Sequence, residues 1–140
     1  MQKLILDTNI LVSALISNSV PTNILYELVL TQKVKTCLSD EIFVEYVEVM
    51  SRGKFAKYPD FKTKSDIVLS KLREISENYK TDRRIDILTD KSDNKFLELS
   101  AVSSADFLIT GNTLDFQMTE FEYTKILTPR VYWDLFKPEK

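Results

Sequence analysis

The side chains best suited to chemistry in this chain are carboxylates. Asp7 ends a short apolar run, Leu4-Ile5-Leu6, and is followed by Thr8 and Asn9. Glu41, Glu45 and Glu48 share a narrow polar stripe on an otherwise apolar helical stretch. Arg52 can pair with Glu48, yet no lysine or arginine stands within a turn of Glu45 on that stripe. Asp93 precedes Phe96, Leu97 and Ser100 by three, four and seven residues, so in a helix its carboxylate starts from the apolar side. Each acid also has a plainer use: Asp7 or Asp93 could cap a helix, a role Asp90 or Ser92 could equally fill, and the Glu45 stripe could face solvent. Gathered in one pocket, three or four carboxylates repel one another and take up protons unless a divalent cation is bound. Ligands that are all oxygen select a hard ion, Mg²⁺ or Mn²⁺, over zinc. One such ion holds a phosphodiester oxygen and activates a water, and a second stabilises the leaving oxygen about 4 Å away.

Composition removes the competing chemistries. There is no histidine, which excludes Ser-His-Asp and Cys-His catalysis, two-histidine ribonuclease chemistry and ordinary histidine-containing zinc sites. Only two glycines occur, Gly53 and Gly111, so neither a dinucleotide-binding turn nor a phosphate loop can be written. The single cysteine, Cys37, has no internal disulfide partner and reads as a small core residue. No apolar stretch approaches the roughly 20 residues of a membrane span, and the N-terminus lacks the pattern of a secretion signal. These features predict a soluble, cytoplasmic protein. Charge is uneven: residues 51–84 hold ten basic and five acidic side chains, whereas the flanking segments are net acidic. Within that block Arg52, Lys54 and Lys57, interleaved with Phe55 and Tyr58, are candidate RNA contacts, and a solvated helical face is the plainer alternative.

The elements that must position these residues follow from apolar patterning. At 140 residues the chain suits one domain, spanning 1–140. Strands are predicted at Leu4–Leu6, Val34–Leu38, Ile85–Leu88, Phe107–Ile109 and Thr124–Leu127. Helices are predicted over Ile10–Ile16, from Pro21 through Val29, from Asp40 to about Ser51, over Lys64–Asn78 and Ser92–Ser103, and from Pro129 onward. Strands alternating with helices predict a three-layer α/β/α sandwich around a central, mostly parallel sheet, with ligands beyond the carboxyl ends of its strands.

The ordered set of motifs resembles the PIN-domain family of metal-dependent ribonucleases, and within it the toxin-like group of type II toxin-antitoxin systems. The resemblance runs through Leu4-Ile5-Leu6-Asp7-Thr8-Asn9, Leu38-Ser39 and Glu45-Tyr46-Val47-Glu48-Val49-Met50. It continues with Asp90-Lys91-Ser92-Asp93-Asn94-Lys95-Phe96-Leu97-Glu98-Leu99, then Ala105-Asp106-Phe107-Leu108-Ile109-Thr110-Gly111-Asn112 and Leu127-Thr128-Pro129-Arg130. It implies Asp7, Glu45 and Asp93 as the primary metal-binding and catalytic acids, Asp90 as an additional acid, and Asp106, Thr8, Thr110 and Asn9 in support. The family commonly has aspartate where this chain has Asn112, and Asp115 can supply the missing charge. A Mg²⁺- or Mn²⁺-dependent endoribonuclease is the implied activity, with homodimerisation and neutralisation by a small antitoxin whose tail fills the acidic pocket. Phe55, Tyr58 and Phe61 are candidates for such contacts, or for packing under the 53–63 loop. Two other readings stand beside it: a catalytically weakened fold that binds RNA or antitoxin without cutting, and a small-molecule phosphatase, which lacks its usual Asp-x-Asp pair at Asp7-Thr8-Asn9.

Overall fold

The computed structural model describes residues 1–139. Six strands form one sheet in the order β3-β2-β1-β4-β6-β5. They are β1 (Lys3–Leu6), β2 (Lys35–Leu38), β3 (Glu77–Asn78), β4 (Phe107–Ile109), β5 (Glu120–Phe121) and β6 (Thr124–Leu127). All neighbours pair in parallel except β5, which returns antiparallel to β6. The apolar, non-alternating β1 lies at the centre, with Leu4, Ile5 and Leu6 all buried, as expected of a parallel strand covered on both faces.

Between β1 and β2 run α1 (Thr8–Ile16) and α2 (Val20–Asn23), the latter continuing as a π-helical segment, Ile24–Val29. Helices α3 (Asp40–Met50) and α4 (Phe61–Ile75) link β2 to β3. α5 (Asn94–Ser103) lies on the way back to β4, and α6 (Pro129–Phe136) closes the chain. The steps from β1 to β2 to β3 move one way across the sheet, and the return to β4 moves the other. Right-handed crossovers therefore put α1–α4 on one face and α5 on the opposite face. The three predicted layers are present, and α6 packs against α2. Local signals hold at the caps: Ser39 Oγ accepts the Ile42 N–H, and Thr128 Oγ1 accepts the Val131 N–H. No helix among the described residues is long and apolar enough to cross a membrane.

Two expectations are corrected. The predicted strand over Ile85–Leu88 is an irregular strap, because its backbone donors go to side chains of α5 and not to a neighbouring strand. Ile85 N–H donates to Glu98 Oε2 (2.9 Å), and Leu88 N–H donates to Asn94 Oδ1 (3.1 Å). The third parallel strand is instead Glu77–Asn78, inside the predicted helix, which stops at Ile75. The hairpin of β5 with β6 has no periodic signal in the sequence, since Glu120–Phe121 spans only two residues. Phe55 and Phe61 are buried and stacked 4.8 Å apart, so they pack beneath the loop. Cys37 is buried as well, and burial pushes its thiol up to about 11, consistent with a core residue.

Candidate metal centre

Strand order reverses between β1 and β4, the position where an open α/β sheet presents its ligand crevice. Asp7 leaves β1 there and Thr110 leaves β4 beside it. The Thr110 hydroxyl donates to Asp7 Oδ2 (2.7 Å) and accepts the Asn112 N–H (3.1 Å), so the backbone turn after β4 orients the carboxylate. Asp7 is 7% exposed. Burial pushes its pKa up and the charge of Glu45 adds to this. The Thr110 hydroxyl and the N–H groups of Thr8 and Asn9 pull the other way. Asp7 stands at the N-cap position of α1, where its carboxylate feels the first N–H groups of the helix and is held most directly by the Thr110 hydroxyl.

Glu45 reaches the same place from α3. The buried Tyr46 hydroxyl donates to the Leu6 carbonyl, tying α3 to the end of β1 and setting its neighbour Glu45 above Asp7. The Thr8 hydroxyl donates to Glu45 Oε2, and Lys95 Nζ donates to Oε1 at 2.8 Å. Asp93 arrives from the third direction, at the junction of the 3₁₀ turn Lys91–Asp93 with α5. Among the described residues its side chain has no hydrogen-bond partner. Burial first, then the charges of Asp7, Asp90, Glu45 and Asp115, push its pKa up to about 7. That four other acids act on Asp93 is the electrostatic signature of one shared anionic pocket.

The remaining candidates separate. Asp90 takes the capping role: its Oδ1 accepts the Ser92 N–H (3.0 Å) and hydroxyl (2.7 Å), which holds its carboxyl below the usual range. Asp115 is exposed at the rim and accepts from the Asn112 amide (2.8 Å). Asn9 is exposed, with no side-chain hydrogen bond among the described residues. Asp106 stands at the opposite edge of the sheet, before β4, where it accepts the Lys3 N–H (2.8 Å) and the Tyr123 hydroxyl (3.3 Å). The length of β4 divides it from Asp7. Arg52, Lys54 and Lys57 lie in the turn after α3, with Arg52 paired to Glu48 and the two lysines over the rings of Phe55 and Tyr58. Arg52 is seven residues beyond Glu45, roughly 10 Å along a helix axis, and none of the three contacts the acids. The residue that sequence reasoning missed is Lys95. It lies two positions from Asp93, but no pattern in the chain could show that its ammonium meets a glutamate fifty residues away.

Among the described residues no three acidic or thiol side chains stand in an arrangement that already encloses an ion. In this arrangement Thr8 and Lys95 hold both oxygens of Glu45, and Thr110 holds one of Asp7. The donor set itself fits a hard dication, since it is all oxygen, anionic, and contains in Asp93 a half-buried carboxylate without a partner.

A family profile described as PIN domain matches residues 3–114, from β1 to the turn after β4, and so contains Asp7, Glu45, Asp90, Asp93, Thr110 and Asn112. The chain belongs to the PIN-domain family, a nuclease-type fold whose members generally hydrolyse nucleic acids and usually bind divalent metal ions. No curated protein matches it.

Proposed function

We propose that this protein is a Mg²⁺- or Mn²⁺-dependent endoribonuclease in which Asp7, Glu45 and Asp93 hold the ion. One observation carries the reading: acids from three distant parts of the chain approach one another at the sheet's switch point, where burial and then the neighbouring acids push the pKa of Asp93 up to about 7. When bound, the ion supplies charge neutralisation for the phosphate and lowers the pKa of water. The chain's own groups do the positioning. Thr110 fixes the Asp7 carboxylate, Thr8 fixes Glu45, and Tyr46 fixes the helix that carries it. Asp90 shapes the turn that presents Asp93 and adds negative charge beside it. Asp115 and Asn112 form the outer wall, where the neutral amide leaves one charge fewer than an aspartate would.

Incubation of purified protein with single-stranded RNA and Mg²⁺ tests this. Cleavage leaving 5′-phosphate and 3′-hydroxyl ends, abolished by chelator and by Asp7→Asn, is the expected result. Cleavage that persists in either condition overturns the mechanism. The toxin role, homodimerisation and a small neutralising antitoxin belong to the same proposal, and co-purification of a short co-encoded protein is their direct test. A second reading, an RNA- or antitoxin-binding module with weakened catalysis, is favoured by Asn112 and by the Lys95–Glu45 pair. RNA binding without cleavage at every divalent-ion concentration would establish it.

A further inference from the structure

Lys95 stands out among the charged residues of the molecule. Ten ion pairs occur among the described residues, and only Lys95–Glu45 shelters both side chains, at 22% and 17% exposed. The pair is long-range, joining α5 to α3 across fifty residues. Other cations near the pocket are engaged elsewhere: Lys91 with Asp86, and Arg84 with Glu41 and Glu98. The Lys95 ammonium is thus the one chain cation among the described residues that pairs directly with an acid of the centre, and its charge also lowers the pKa of Asp90.

We propose that Lys95 is a built-in counter-ion that competes with the divalent ion for Glu45 and must leave that carboxylate before the ion is fully held. This rests on the metal-dependent reading above. With Lys95 on Oε1 and Thr8 on Oε2, Glu45 has both oxygens directed at chain donors. Breaking the pair requires a place for the ammonium. Lys95 also lines a cleft of about 450 Å³ whose walls include three acids, Glu41, Asp86 and Glu98, and one other cation, Lys91. A flexible four-carbon stem can swing the charge there. The lysine then works as a tethered cation with two positions, Glu45 and a cleft whose three acids outnumber their two cations, Lys91 and Arg84: it stabilises the folded protein without metal and sets a threshold that the ion must exceed. Lys95 is a positioning residue in this account, since it acts through Glu45.

The test is Mn²⁺ binding, followed by loss of the free-ion electron paramagnetic resonance signal. Lys95→Met binds Mn²⁺ about tenfold more tightly than wild type, the middle of the range for directly coupled residues. Lys95→Arg stays close to wild type, and the gain disappears when Glu45→Gln is combined with Lys95→Met. On the wild-type protein itself, the ¹⁵Nζ signal of Lys95 is protected from exchange in chelator and loses that protection on saturation with Mg²⁺, so the idea remains testable if Lys95→Met does not fold. Unchanged or weaker Mn²⁺ binding in Lys95→Met, or an ammonium signal indifferent to Mg²⁺, overturns the proposal while leaving metal-dependent RNA cleavage by the wild type intact. A wild type that neither binds Mn²⁺ nor cleaves RNA overturns both.

Discussion

Neutralising Asp93 should stabilise this protein. In the folded state its carboxyl is pushed from 3.8 up to about 7, by burial first and then by neighbouring acids. The folded chain therefore keeps this proton across a window in which the unfolded chain has lost it. Stability contributed by the protonated carboxyl is fully present below the unfolded value and is lost as pH rises through the folded one. At 1.36 kcal/mol per pH unit the ceiling is about 4 kcal/mol. Solvent screening of a half-buried group reduces this, and we expect about 1–2 kcal/mol. For a domain of 140 residues that is a rise in Tm of about 3–7 °C. The assay is thermal unfolding of wild type and Asp93→Asn in chelator across the acid-to-neutral range. Asp93→Asn is the more stable protein at the alkaline end, and the two curves converge below about pH 4, where the Asp93 carboxyl is protonated in the folded and unfolded chain alike. Excess Mg²⁺ reverses the order, because an ion held at about 100 times its Kd stabilises the wild type by about 2.7 kcal/mol. A variant no more stable than wild type at neutral pH in chelator refutes the idea of a crowded acid pocket, and so does a gain independent of pH.

Three further outcomes follow from the same geometry. Thr110→Val removes the hydroxyl that holds the Asp7 carboxyl down, so the pH of half-maximal Mn²⁺ binding moves upward; an unmoved pH profile contradicts the role given to Thr110. Tyr46→Phe leaves the buried Leu6 carbonyl without its donor and costs about 1–3 kcal/mol in urea unfolding, with weaker Mn²⁺ binding as α3 loosens; full retention of both contradicts the tie. Asn112→Asp brings a charge to within reach of Asp115 and the pocket, and Mn²⁺ binding measured by paramagnetic resonance tightens several-fold; unchanged affinity places Asn112 outside the ion's field.

Much of the architecture was legible in the order of apolar runs. Leu4-Ile5-Leu6 and Phe107-Leu108-Ile109 read as central parallel strands because they do not alternate, and both are buried at the middle of the sheet. Ser39 and Pro129 marked helix starts because capping and proline act locally. What escaped notice is non-local. Ile85-Asp86-Ile87-Leu88 carries strand-like residues, yet the α5 side chains Asn94 and Glu98 capture its amides first. Glu77–Asn78 is polar and exposed, a strand only because β2 offers it an edge.

The site divides in the same way. Asp7 and Asp93 stood out because each ends or begins an apolar element, and both stand at helix starts without a side-chain capping bond of good geometry. Asp90 does make one. Asp106 precedes its strand and so falls at the sheet's amino edge, a consequence of strand direction that the motif alone does not display. Lys95 was invisible because its partner is set by the approach of α3 to α5, a packing relation with no trace in local spacing.

A crystal soaked in Mn²⁺ and measured at the manganese absorption edge tests the central claim most directly. The account predicts an anomalous peak at the carboxyl ends of β1 and β4, in contact with Asp7, Glu45 and Asp93, with Lys95 swung away from Glu45. No peak there at saturating Mn²⁺, or a peak bound to other residues, contradicts it.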